Sequence, residues 1–213
     1  MECVGSPSLD RVGQLYTGLV SENLTTLQNF SGCPWECVLV ADMLVGLVSD
    51  THDDVSAARR AAEVFSRHGV EVVLHLGDVV APFTLKVFGE AGIRRLYAVY
   101  GNNCGERLGL QRLAVQYGYR IEEWPLLVEA GNRRILMLHG VGSQEKTREL
   151  VEALAASQRY DVVAYGHTHQ VDVRRVGGVL VVNPGEACGC LTGRKTVAIL
   201  DTETLSVEIV ELS

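Results

Sequence analysis

Leu44-Val45-Gly46-Leu47-Val48-Ser49-Asp50-Thr51-His52 is the stretch from which the fold is read. Five apolar residues end at Val48 in the manner of a buried strand, and Ser49, Asp50 and His52 follow at once. The pattern repeats downstream. Val70 to Leu76 reads as a strand that runs into Gly77-Asp78, and Arg95 to Tyr100 as one that runs into Gly101-Asn102-Asn103. Between them the spacing predicts helices over Val55 to His68, with Ala58, Ala61, Ala62 and Phe65 on one face, and over Pro82 to Glu90, with proline near its start. Another helix is expected from Arg107 to Tyr117. This βαβαβ order marks a parallel or mixed sheet with covering helices.

The second half changes character. Leu126 to Glu129 and Arg134 to Leu138 flank Ala130-Gly131-Asn132-Arg133, a hairpin signal. A helix is expected from Ser143 to Ser157 and a strand from Asp161 to Tyr165. Val171 to Arg175 pairs with Val179 to Val182 across Gly177-Gly178, and Thr196 to Leu200 with Ser206 to Val210. A chain that begins in crossovers and ends in hairpins is accommodated by two packed mixed sheets with helices outside. Residues 1–42 are set apart. Leu9, Val12, Leu15, Tyr16, Leu19 and Val20 recur at helical spacing before Ser31-Gly32-Cys33-Pro34 breaks the pattern. We read 1–42 as an N-terminal extension, either an added helix or a product of start-site choice, and 43–213 as the functional domain.

Composition narrows the classes. The chain has 213 residues, 47% of them hydrophobic, which suits one domain with an ordinary core. No apolar run reaches the roughly 20 residues of a membrane helix, and the start lacks a basic segment followed by an apolar one, so a cytoplasmic protein is expected. A net charge of −7, with Arg94-Arg95, Arg133-Arg134 and Arg174-Arg175 scattered, argues against binding a long nucleic acid. The six cysteines form no CxxC pair and are read as structural thiols.

The polar clusters Asp50/His52, Asp78, Asn102, His139 and His167/His169 each lie just beyond an expected strand end, the edge where open α/β sheets bind ligands. Asp, Asn and His together supply hard oxygen and borderline nitrogen donors. Seven candidates exceed one tetrahedral site and suit two adjacent ions, and a carboxylate such as Asp78 has two oxygens with which to bridge them. If the segments stay extended, the two side chains of Asp50-x-His52, and of His167-x-His169, point the same way. The glycines before Asp78, Asn102 and His167 let the backbone turn sharply. Burying three histidines and two aspartates without partners would be costly. His75, alternating with Leu74 and Leu76, is read as a structural or supporting histidine. Asp53 and Asp54 are expected to cap the helix that follows them, and Gly185 to supply a positive φ angle in a turn.

"SDTHDD", "HLGD", "GNN", "YGHTH" and "NPGE", with His139 between them, resemble the calcineurin-like metallophosphoesterases, and among these the small bacterial and archaeal phosphodiesterases. The likeness runs from about Leu44 to Leu212. It implies a four-layer α/β/β/α sandwich. It also implies two divalent ions, one held by Asp50, His52, His169 and Asp78, the other by Asp78, Asn102, His139 and His167, with a bridging water or hydroxide as the nucleophile. Manganese is the favoured metal, with nickel, zinc, iron, cobalt and magnesium as alternatives. The substrate implied is a small phosphodiester or phosphomonoester, the diester preferred, and the assembly a homodimer. Two positions depart from the pattern. Asn103 stands where many relatives have a histidine that serves as general acid, so it is expected to contact phosphate without delivering a proton. Cys104 stands where the nearer branch often has an acidic residue. A related retromer subunit uses this fold as a protein-binding scaffold. The complete ligand set favours the enzyme over that alternative.

Overall fold

In the computed structural model of the chain, which describes residues 43–212, alternation along Val72-Val73-Leu74-His75 sorts side chains between two cores. Val72 and Leu74 join one apolar cluster, while Val73 joins another with Ala61 and Phe65. The elements follow as β1 (Leu44–Val48), α1 (Val55–His68), β2 (Val72–His75), α2 (Pro82–Glu90), β3 (Leu96–Val99), α3 (Arg107–Tyr117) and β4 (Arg120–Glu122). Then come β5 (Leu126–Ala130), β6 (Arg133–Leu138), α4 (Gln144–Ala156), β7 (Val162–Tyr165), β8 (Val171–Val176), β9 (Val179–Pro184), β10 (Thr196–Asp201) and β11 (Ser206–Glu211).

The strands form two mixed sheets, ordered β11-β10-β1-β2-β3-β4 and β5-β6-β7-β9-β8. In the first, β1 to β4 run parallel and β10 returns antiparallel beside β1. In the second, β6, β7 and β9 are parallel, with β5 and β8 antiparallel at the edges. Leu47 and Leu74 of one sheet share a core with Met137, Ala164 and Val182 of the other. Outside the first sheet, Phe65, Phe88 and Leu110 of α1 to α3 pack with Val73 and Ala98. Outside the second, Val151 and Ala155 of α4 pack with Leu138, Val163 and Val181. The result is the expected α/β/β/α sandwich.

Helices α1, α2 and α3 match their expected limits and α4 falls one residue short at each end, because helix ends are written locally. Asp54 Oδ1 accepts from Ala57 N at 2.9 Å at the start of α1, and Gly69 ends it at φ 70°. Pro82 opens α2, and Ser143 caps α4 by accepting from Lys146 N. Strand β4 was not anticipated. It is three residues long with one buried side chain, Ile121, too little alternation to register as a period of two. The helical spacing noted before residue 43 lies outside the described residues.

Candidate metal centre

The polar clusters follow β1, β2, β3, β6 and β7, and backbone bonds lock their loops together. Asp50 N donates to Gly77 O and His52 N to Asp78 O, both at 3.1 Å, while Gly166 N donates to His139 O at 3.1 Å. Two further bonds cross between the sheets. His139 Nδ1 donates to Leu76 O at 2.8 Å, and His167 N donates to Asp50 Oδ2 at 3.1 Å.

All seven expected residues meet in one continuous row. From His169 Nε2 the steps run 3.3 Å to Asp50 Oδ1, 3.7 Å to His52 Nε2 and 3.5 Å to Asp78 Oδ2. They continue 3.4 Å to His139 Nε2, 3.0 Å to Asn102 Oδ1 and 2.9 Å to His167 Nδ1.

The row is made of acceptors. A carbonyl or carboxylate oxygen can only accept, so the ring nitrogen facing it carries the hydrogen. His139 spends its Nδ1–H on Leu76 O, His167 its Nε2–H on Gly142 O at 2.8 Å, and His169 its Nδ1–H on Glu186 Oε2 at 2.6 Å. In the neutral rings the other nitrogens present lone pairs to Asp50, Asp78 and Asn102. Turning the Asn102 amide would relieve its own two contacts. It does nothing for Asp50 Oδ1 and His52 Nε2, which are buried and, among the described residues, have no hydrogen-bond partner. Protons or cations must occupy the gaps, and Asp50/His52/His169 and Asp50/Asp78/His139 each place one donor atom within 4.8 Å of the others. The donor set therefore fits divalent ions.

The same competition shapes the ionisation. Asp50 and Asp78 beside His52 raise its pKa. Burial opposes the change at His139, but Asp78 and Asp50 push its pKa up. Burial would also raise the Asp78 carboxyl, yet His139 and Asn103 hold it well below the usual range.

The backbone departs from expectation. Asp50, His52, Asp78, His167 and His169 all have φ between 42° and 66°, so neither D-x-H nor H-x-H is extended. Left-handed backbone costs an L-residue roughly 1–2 kcal/mol, and such strain collects at functional sites. The turn-making expected of the preceding glycines falls largely to the candidate ligands. Of Gly77, Gly101 and Gly166 only Gly77 has positive φ, at 104°. Gly101 serves close approach instead, since a Cβ there would lie 2.1 Å from Asp78 Oδ1.

The neighbours sort themselves by contact. Asn103 donates its backbone N–H to Asp78 Oδ1 at 2.8 Å and its amide to Asp78 Oδ2 at 2.7 Å. Cys104 Sγ accepts from Gly101 N, which closes the turn that carries Asn102. His75 is fully buried, bonded through Nε2 to Thr51 Oγ1 at 3.2 Å and edge-on to Phe88. Asp54 caps α1 as expected, but Asp53 does not. Its Oδ1 accepts from Ala81 N at 3.0 Å and Thr84 Oγ1 at 2.9 Å, so it caps α2, a partner 28 residues away in sequence. Gly185 has φ 83°, the turn conformation expected of it. Glu186, read only as part of a turn, reaches His169. The available signal was a carboxylate four residues after the apolar run Val179–Val182. A cleft of about 390 Å³ opens beside Asn102 and His167, walled by Tyr100, Arg107, Glu123 and Trp124.

Residues 43–205, which span the sandwich and this rim, match the calcineurin-like phosphoesterase superfamily domain, so the chain belongs to that superfamily. Phosphodiesterase MJ0936 of Methanocaldococcus jannaschii is 40% identical over 163 residues, 76% of this chain and 94% of that protein. A solved archaeal phosphodiesterase, 38% identical, superposes with a TM-score of 0.73 over 80% of this chain and 100% of its own. Vps29 of Chaetomium thermophilum, 17% identical, has a TM-score of 0.59 over 79% of this chain and 95% of its own, a likeness of fold alone. Among the described residues no helix is long and apolar enough to cross a membrane.

Proposed function

We propose that the chain is a binuclear metal-dependent phosphodiesterase, and that Asp50, His52, His169 and Asp78 hold one divalent ion while Asp78, Asn102, His139 and His167 hold the other. The observation that carries this reading is the single row of seven converging side chains, in which Asp50 Oδ1 and His52 Nε2 are buried and, among the described residues, without a hydrogen-bond partner. Divalent cations, when bound, supply Lewis acidity that activates water for attack on phosphorus and neutralises the phosphoryl oxygens. The protein's own part is orientation. Leu76 O, Gly142 O and Glu186 fix which nitrogen of His139, His167 and His169 faces inward. Asn103 clamps both oxygens of Asp78, and its remaining amide hydrogen is the one we assign to a phosphoryl oxygen.

The cleft beside Asn102 and His167 receives one ester arm. Arg107 lies 4.6 Å over the Tyr100 ring and pairs with Glu123, so its charge is already answered. That favours a neutral arm over a second phosphate. A protein-binding scaffold has no need to hold five residues in left-handed backbone around unpaired acceptors. Manganese as the metal and a homodimer belong to the same proposal and rest on the resemblance, and a cytoplasmic location belongs to it as an expectation from the sequence. Thorough chelation should abolish hydrolysis of bis(4-nitrophenyl) phosphate, and Mn²⁺ should restore it. Undiminished turnover in chelator would sink the reading.

A further inference from the structure

Glu186 is a fully buried carboxylate, and among the described residues no Lys or Arg pairs with it. A buried charge persists only if hydrogen bonds replace its water, and here every neighbour is a donor. Oε2 accepts from His169 Nδ1 at 2.6 Å. Leu191 N donates to both oxygens at 3.0 Å. Thr192 N and Thr192 Oγ1 donate to Oε1 at 2.5 and 2.7 Å, and Cys188 Sγ lies 3.5 Å from Oε2. The Leu191-Thr192 segment therefore straps the carboxylate from one side while His169 occupies the other.

His169 is itself constrained. Its backbone has φ 59°, its ring stacks on His52 at 5.2 Å, and its Nε2 points at Asp50 Oδ1 from 3.3 Å. His139 and His167, by contrast, are tied to the neutral carbonyls of Leu76 and Gly142. Among these three histidines, His169 is the one whose outer nitrogen faces a full negative charge. A carboxylate in that position orients the ring and strengthens the inner nitrogen as a donor.

We propose that Glu186 is the positioning residue for His169 and makes the Asp50/His52/His169 site the tighter of two unequal ion sites, an inference that rests on the metal-dependent reading above. The strap fixes Glu186, Glu186 fixes His169, and the ring presents Nε2 to the ion. The site built on Asn102, His139 and His167 has no such charge behind it and fills second.

Metal-stripped protein titrated with Mn²⁺ in a calorimeter tests this. Wild type should show two classes of site. Glu186→Gln keeps the volume, but an amide has one acceptor where both oxygens face donors, so it cannot reproduce the arrangement. The tight site should weaken by about 10- to 100-fold, the other by less than about threefold. Placed in a His169→Ala background, Glu186→Gln should change neither site further. Unchanged binding, equal weakening of both sites, or an added loss without His169 would each overturn the proposal. If Glu186→Gln does not fold, Thr192→Val carries the test, because it removes the 2.7 Å hydroxyl bond to Oε1, with the longer contacts of that hydroxyl to the Arg194 backbone, and leaves the backbone bonds from Leu191 and Thr192 in place. The tight site should then weaken severalfold, and no change would overturn the idea. Wild type that binds no ion at all would sink the phosphodiesterase reading as well. Two ions in wild type with an indifferent variant would sink the role of Glu186 alone.

Discussion

Asp78→Asn exchanges one oxygen for NH₂ at constant volume, and the structure shows what that exchange can and cannot repair. In wild type, Oδ1 accepts from the backbone N of Asn103 and Oδ2 from its side-chain amide. The backbone N–H cannot turn away, so the variant must keep its one oxygen there and aim NH₂ at the Asn103 amide. That amide can rotate by half a turn and accept. The local bonds survive, and a lost bond of about 1 kcal/mol is the upper limit expected for the fold, a shift of less than about 4 °C in the Tm of metal-free protein. The charge is not recovered. The atom that lay 3.4 Å from His139 Nε2 and 3.5 Å from His52 Nε2 becomes a donor, at the point shared by the two proposed ligand sets. Both ion sites should lose occupancy, and kcat/KM for bis(4-nitrophenyl) phosphate should fall more than about 100-fold, ~2.7 kcal/mol. The assay pairs metal counting with steady-state kinetics and a melt of the stripped protein. Two retained ions with a normal rate would remove the bridge, and a collapsed fold would make Asp78 a structural residue.

Two other outcomes follow from burial. His75 is held neutral, its pKa pushed down to about 4 by burial. The unfolded chain takes up this proton near the ordinary 6.5 and so binds more protons than the folded one between those values, which means stability falls as pH falls through that window. In stripped protein the contribution is roughly 3 kcal/mol. Urea midpoints at pH 7 and pH 4 should therefore differ more for wild type than for His75→Gln, and equal differences would contradict the assignment. A chain shortened to begin at Met43 should fold and keep its turnover, because Met43 is buried and its N and O both bond to Thr202. An insoluble or inactive product would show that residues 1–42 belong to the domain.

How much of this was readable depended on how far each cause reaches along the chain. Asp54, Gly69, Pro82 and Ser143 act within a turn of the helices they begin or end, so the limits of α1, α2 and α4 were readable to within a residue or so. Asp53 caps a helix 28 residues downstream, and adjacency assigned it to the wrong one. The candidate ligands were legible because polar residues follow apolar runs five times over. Their left-handed backbone was not, since it is imposed by pairing between loops, such as Asp50 N with Gly77 O. Glu186 escaped for the same reason. Its role exists only where the end of β9 meets the loop after β7.

Those long-range causes also explain why the centre needs two sheets. Of the proposed ligands, Asp50, His52, Asp78 and Asn102 follow strands of the first sheet, and His139, His167 and His169 follow strands of the second. Each proposed ion draws ligands from both, so a slide of one sheet over the other would open both sites at once. The shared core of Leu47, Leu74, Met137 and Val182 resists that slide without direction. The bonds from His139 Nδ1 to Leu76 O and from His167 N to Asp50 Oδ2 give it direction, and each uses a residue of the site as the tie. The residues proposed to bind metal thus also hold the sheets in register, and the left-handed turns persist because bonds on both sides over-determine them. By this argument the geometry of the centre is set by the packing of the sandwich before any ion arrives.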